Sequence, residues 1–369
     1  MLKALEKYCD KIIPLGPLYK GYWSIIIGKI INKLSRVILK RKFAYMHSIF
    51  IAKEFARILK DKIKRDKCDI LFFPVGSHLL AYLDVDIPIV YLSDTTFKLM
   101  LDYYPSFSGL LNISKKNGMS IEQRAIERAS KVIYSSKWAA ESAIRDYNCN
   151  EDKIHIIPFG ANLDNIPSKE EVLLHRERSG SVCKLLFVGV DWFRKGGQIA
   201  FETMIELNRR SLNTELIICG GKPPKNLRHD KLRVIGFLDK NNKEQALKLY
   251  NFYKDSSFFL LPTRSECAGI VFCEAAAYAL PVISTQTGGV PSYVKNAITG
   301  YLLPLEAKSH DYADIIQKIW SERNRYYALC ENSRNKYENG LNWESWGKKV
   351  AEVVRKVKKN KTKDVFLKK

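Results

Sequence analysis

Short apolar runs rich in Ile, Val and Phe recur along this chain, and the segments between them are long enough for a helix. That alternation constrains the fold more than any other feature. Buried parallel strands read as continuous apolar runs, and each parallel pair needs a crossover, usually a helix. In the first half the expected strands are residues 11–16 (KIIPLG), 70–76 (ILFFPVG), 87–93 (IPIVYLS), 131–136 (KVIYSS) and 153–160 (KIHIIPFG). In the second half they are 183–189 (CKLLFVG), 214–221 (TELIICGG), 232–237 (LRVIGF), 256–263 (SSFFLLPT) and 280–285 (LPVIST). Between the two sets lies the polar stretch ANLDNIPSKEEVLLHRERSGS, whose Pro167 and Gly180 mark a hinge. An α/β protein of two successive domains follows.

The length of 369 residues agrees, because single cores rarely grow that large. A composition of 46% hydrophobic and 27% charged residues is that of an ordinary globular protein. The start, MLKALEKYCDKIIPLGP, lacks the order of a secretory leader, and no apolar run is long enough to span a bilayer. A cytoplasmic location is expected. The eight cysteines are scattered, with no Cys-x-x-Cys pair or zinc spacing, so reduced structural thiols are expected. The net charge of +22 attracts polyanions, anionic lipid or phosphorylated substrates.

The N-terminus departs from the pattern. Leu2, Leu5 and Tyr8 have helical spacing, whereas a doubly wound sheet normally opens with its central strand and a ligand-binding loop. The N-terminal domain is therefore expected to lack that first strand.

The chemistry concentrates in residues 264–294, RSECAGIVFCEAAAYALPVISTQTGGVPSYV. A buried strand should end just before it, and GIVFCEAAAYAL has the composition of a closely packed helix. A helix start near Gly269 offers unpaired N–H groups and a positive dipole end, which suit phosphate. Glu266 falls in the loop before that helix and Glu274 in its early turns, so both acids are expected to border a polar ligand at the carboxyl ends of the strands. Taken singly, either glutamate reads as structural rather than functional, because an acid near a helix N-terminus is favoured by the dipole alone; the combination is what points to a site.

This Glu-x7-Glu arrangement, between LPTRSE and EAAAYALPVISTQTGGVPSYV, resembles the signature of retaining glycosyltransferases of family 4. LLFVGVDWFRKGG (185–197), VIGFLDKNNKEQALKLYNFYKDSSFFLLPT (234–263) and YSSKWAAESAIRDYNCNEDKIHIIPFGANLD (134–164) resemble that family in the same order. The similarity covers roughly residues 65–350. The resemblance implies the GT-B fold, with two Rossmann-like doubly wound domains facing across a cleft. Its expected layout is an acceptor-side domain over 1–165, a donor-binding domain over 166–340, a helix near the junction over 341–358, and a basic tail over 359–369.

Roles follow from the resemblance, residue by residue. Glu274 corresponds to the acid that accepts from the nucleotide ribose, and Glu266 to the acid beside the donor sugar. Lys195 corresponds to the lysine that holds the diphosphate and stabilises the leaving group. The backbone of Gly269, Ile270 and Val271 would serve phosphate or sugar, and Gly236 and Phe237 would meet the base. Many relatives carry an arginine directly after the strand glycine; here Val190 follows Gly189, and Arg194 is the substitute. GGxPE becomes GGVPS, with Ser292 in place of the acid. Asp94 stands at or beside the place of a family histidine, to accept from a sugar or acceptor hydroxyl or to cap the next helix.

Asp84 and Asp86 form an Asp-x-Asp that precedes a strand, which opposes a metal role, and no histidine has a partner in ligand spacing. In residues 22–42 (YWSIIIGKIINKLSRVILKRK), Lys29, Lys33, Arg36 and Lys40 fall within a sector of about 60°, beside an apolar face of Trp23, Ile26, Ile27, Ile30, Leu34 and Val37. Such a helix is expected to pack its apolar face on the sheet; the alternative is the interface of an anionic membrane.

The resemblance implies a retaining, metal-independent hexosyltransferase without organic cofactor. It would move a hexose from a nucleoside diphosphate sugar to an acceptor hydroxyl, in cell-surface glycan or glycolipid synthesis. The acceptor would be a glycan, a lipid-linked molecule or a small molecule. A peripheral position on the cytosolic face of a membrane is compatible with the charge, and no nucleic-acid motif is present. The alternatives are a nucleotide-sugar epimerase of the same fold, and an N-terminally truncated, inactive anion-binding product.

Overall fold

The computed structural model describes every residue except 17, 19–22, 66–67, 178–179 and 368–369, with side chains described as far as Lys358. The chain forms two compact units, Met1–Ile157 with Gly347–Lys369, and Pro158–Trp346. The division after Ile157 falls ahead of the hinge expected from Pro167 and Gly180. The helix Trp343–Leu367 runs through the second division, and its backbone continues through the segment expected to be a tail.

Among its described residues the first unit holds four parallel strands, β1 (Leu71–Pro74), β2 (Ile89–Ser93), β3 (Lys131–Tyr134) and β4 (Ile154–Ile156), in the order β1-β2-β3-β4. β2 is buried throughout, as a central parallel strand must be. Ile51, Phe55 and Leu59 of the helix Ile49–Arg65 join Leu71, Phe73, Val132 and Tyr134 of the strands in one core. Among the described residues no strand precedes Leu71. Residues 11–16, expected as a strand, are irregular. Pro14 has no N–H to give a ladder, and the Leu15 carbonyl accepts from Lys62 Nζ instead (2.9 Å).

The second unit holds β5 (Cys183–Val188), β6 (Thr214–Cys219), β7 (Leu232–Gly236), β8 (Phe258–Leu261), β9 (Val282–Thr285) and β10 (Gly300–Leu303). All pairings are parallel, and the order is β10-β9-β8-β5-β6-β7. The chain winds outward from β5 to one edge, then returns to β8 on the other side of β5 and winds to the opposite edge. β5 and β8 therefore flank the topological switch point, where the loops leaving their carboxyl ends diverge and open a crevice. β10 was not expected from the sequence; it is a four-residue run paired in register with β9 from Gly300↔Val282 to Leu303↔Thr285.

The helix Trp23–Ile38 overturns the expectation that its apolar face packs on the sheet. Ser24, Ile25, Gly28 and Ser35 are buried, whereas Trp23, Ile30 and Val37 are 76%, 54% and 73% exposed. The cause is local bonding on the small-residue side. Asn32 Oδ1 accepts from the Phe43 N–H (2.9 Å), the Ser35 hydroxyl has the Asn32 and Arg41 carbonyls as alternative acceptors for its one proton (3.1 and 3.0 Å), and a Cβ at Gly28 would sit 2.6 Å from Tyr45 Cβ. These contacts fix the polar side inward and leave the apolar stripe outward.

Among the described residues no disulfide forms, and Cys183 and Cys219 are buried within β5 and β6. Asp84 forms ion pairs with Lys60 (3.2 Å) and Arg128 (3.6 Å). No described helix is long and apolar enough to cross a membrane.

Candidate active site

The switch point of the second unit gathers the charged residues. After β5, the loop to the helix Gly197–Arg209 is wound tightly: the N–H groups of Lys195, Gly196 and Gly197 donate to the carbonyls of Asp191, Phe193 and Trp192 at 2.9, 3.1 and 2.8 Å. Gly196, at φ +74°, lies so close to the end of β8 that a Cβ would come within 1.9 Å of the Pro262 carbonyl oxygen. Only glycine meets both demands. The Arg264 N–H donates to the Arg194 carbonyl (2.7 Å), stitching the loop after β8 to the loop after β5.

This stitching sets Lys195 against Glu266. Their ammonium and carboxylate form an ion pair, with side chains 12% and 11% exposed. The lysine stem passes over the strand-end glycine: a Cβ at Gly189 would lie 3.0 Å from Lys195 Cγ. Glu266 is held from its other side too, its carbonyl accepting from the Gly289 N–H (3.0 Å). Arg194, the expected phosphate substitute, donates through NH1 to the Ser265 carbonyl (3.0 Å), and its Nε lies 3.5 Å from Asp191 Oδ2. It braces the two loops.

The helix Ile270–Ala277 begins at Gly269, which has φ +75°. A Cβ there would meet Phe272 at 2.6 Å and Glu266 Cγ at 3.2 Å. The first-turn amides of Ile270 and Val271 thus start beside Glu266, with the positive end of the helix dipole. The intervening apolar residues turn inward, with Cys267, Ala268, Phe272 and Cys273 all buried.

Glu274 sits further along that helix with no exposed surface. Its Oε1 pairs with Lys240 Nζ and its Oε2 accepts from the Tyr253 hydroxyl (2.9 Å). Burial raises its pKa, offset in part by Lys240 and by the Tyr253 hydrogen bond. Lys240 and Tyr253 were not singled out in the sequence. The available signal was physical: a carboxylate on so apolar a helix requires a cationic partner. Gly236, at φ +80°, ends β7 with its carbonyl accepting from the Gly220 N–H (2.7 Å). Phe237 follows, 69% exposed, in the loop that carries Lys240.

The structure brings together Lys195, Arg194, Glu266 and the Gly269 helix start, and sets Glu274 with Lys240 and Tyr253. Asp94 belongs to the first unit, half-buried in the turn after β2. It does not cap the helix Phe97–Met100: that position is Thr96, whose side chain accepts from the Leu99 N–H.

Comparison with known proteins agrees with this architecture. The sequence profile described as Glycosyltransferase Family 4 matches residues 30–165, and that described as Glycosyl transferases group 1 matches residues 183–322. Curated relatives include D-inositol 3-phosphate glycosyltransferases. That of Corynebacterium jeikeium is 27% identical over 228 residues, covering 57% of this chain and 54% of the relative. That of Xylanimonas cellulosilytica is 23% identical over 231 residues, covering 58% and 54%. The chain spans about half the length of these curated relatives. Among solved structures, the fold resembles sucrose-phosphate synthase from Thermosynechococcus elongatus (TM-score 0.63, 19% identity, covering 82% of this chain and 77% of that one). It also resembles Anabaena HepE in complex with UDP (TM-score 0.62, 14% identity, 82% of each chain). With the two profiles in chain order and these structural neighbours, the chain belongs with the family 4 glycosyltransferases and has their two-domain, Rossmann-like GT-B fold.

Proposed function

We propose that this protein transfers a hexose from a nucleoside diphosphate sugar to an acceptor hydroxyl, with retention of anomeric configuration and without a metal. The observation that carries the reading is the Lys195–Glu266 pair, held at the switch point beside the Gly269 helix start. A diphosphate arriving there meets a cation and unpaired amides together, a combination that stabilises the negative charge developing on the leaving group.

Lys195 exchanges its carboxylate partner for the diphosphate, and the freed Glu266 accepts from hydroxyls of the donor sugar. Glu274 accepts from the ribose hydroxyls once Lys240 turns away, a movement open to a side chain that is 31% exposed. Arg194 keeps the two loops in register, and Phe237 with the Gly236 backbone offers a surface for the base. Asp94 is assigned to a sugar or acceptor hydroxyl on the first unit. The HepE neighbour was solved with UDP and with UDP-glucose, which makes uracil the first base to test. An acceptor of cell-surface glycan or glycolipid synthesis, at a peripheral membrane location, fits the charge of the chain.

The test is release of nucleoside diphosphate from a panel of nucleotide sugars with and without candidate acceptor alcohols. Acceptor-dependent release with product of unchanged anomeric configuration supports the reading. Release of no diphosphate from any donor, with conversion of one sugar nucleotide into its epimer, overturns it.

A further inference from the structure

We propose that the helix Trp23–Ile38 is a docking surface for an anionic lipid bilayer. The helix divides into three sectors. The side bearing Ser24, Gly28, Asn32 and Ser35 faces the first unit, held there by the Asn32 and Ser35 hydrogen bonds and the Gly28 contact described above. Opposite lies an apolar arc of about 120°, comprising Trp23, Ile26, Ile30, Leu34, Val37 and Ile38, each between 44% and 76% exposed. Along one flank of that arc run Lys29, Lys33 and Arg36, with Lys40 and Arg41 just beyond the helix, all exposed. Among the described residues none of these five takes part in an ion pair.

Charge decides which occupant fits. From Lys11 to Lys53 the sequence contains no aspartate or glutamate. A second copy of this chain would bring an equally cationic flank against the first, with no carboxylate in either segment to offset it. A bilayer containing acidic headgroups offers the opposite sign along the basic flank and hydrocarbon beneath the apolar arc. Trp23, at the middle of that arc, has the amphipathic ring that settles at the headgroup boundary. Because the inward side of the helix is fixed by hydrogen bonds and by the tight Gly28–Tyr45 contact, the helix needs no rearrangement to present this face.

The test uses the full chain, co-sedimented with vesicles of phosphatidylcholine alone or with about one third phosphatidylglycerol. The chain should bind the acidic vesicles and be released at about 1 M salt, where screening shortens to about 3 Å. Replacing Lys29, Lys33 and Arg36 with Gln should weaken binding roughly 100-fold. Ile30→Gln with Leu34→Gln and Val37→Gln should weaken it about tenfold or more, and these exposed positions put folding at little risk. Tryptophan emission should shift to the blue on binding, and the shift should vanish in Trp23→Phe. Equal binding to both vesicles, binding to neither, or unchanged binding of the apolar triple variant overturns the proposal. So does a concentration-dependent dimer that the apolar triple variant abolishes, since a second copy would then cover this face.

Discussion

Replacing Lys240 with Met isolates the energetics of the buried Glu274. In the wild type, Oε1 of this fully buried carboxylate is paired with Lys240 and Oε2 with the Tyr253 hydroxyl. Removing one partner of a buried pair typically costs about 3–5 kcal/mol because the other charge is left uncompensated. The Lys240 side chain is 31% exposed and partly solvated, so the low end, about 3 kcal/mol, is expected at pH 8. Burial already raises the Glu274 pKa, and loss of the cation raises it further. A carboxyl with a raised folded pKa keeps its full stability contribution below the unfolded pKa and loses it as pH rises through the folded value. The Lys240→Met variant should therefore be less destabilised at pH 5 than at pH 8. Lys240→Met with Glu274→Gln replaces the pair with neutral groups and should recover about 2 kcal/mol of the loss. Urea denaturation of the wild type, both single variants and the double variant, at the two pH values, measures all of this. Additive single effects, with no pH dependence in Lys240→Met, would refute the reasoning.

Two further predictions concern the scaffold. Glu122 is buried in the first unit, its Oε1 accepting from the Tyr91 hydroxyl (3.1 Å), and burial raises its pKa to about 7. The native state thus holds a proton that the unfolded chain releases from about pH 4.5 upward, and this contribution is lost as pH climbs through about 7. Glu122→Gln should gain about 3 kcal/mol on the wild type between pH 4.5 and 8 in urea denaturation; the neutral, buried His47 and His78 contribute equally to both proteins and cancel. Gly196→Ala forces a left-handed backbone angle onto alanine and a Cβ into the Pro262 carbonyl, and should lower stability by at least about 2 kcal/mol, read as a reduced urea midpoint.

The two-unit plan was legible because buried parallel strands announce themselves by continuous apolar runs, as in CKLLFVG and SSFFLLPT. The same signal misled at KIIPLG, where Pro14 withholds a donor, and was too short to register at GYLL, which became β10. Periodicity identified the amphipathic character of residues 23–38 without saying which side packs inward. That choice lay with Gly28, Asn32 and Ser35, whose bonding partners are distant in sequence or in the following turn. The partners of the two glutamates were legible in different degrees. Lys195 was singled out through the family resemblance, though not as the partner of Glu266, whereas Lys240 is 34 residues from Glu274 and meets it only through the tertiary fold.

Titration calorimetry of the wild type and Lys195→Met with UDP tests the proposed pocket most directly. Wild-type binding, weakened roughly tenfold to 100-fold by the loss of one charged hydrogen-bond donor, is the predicted result. Equal UDP affinity in the two proteins would contradict the assignment of Lys195 to the diphosphate.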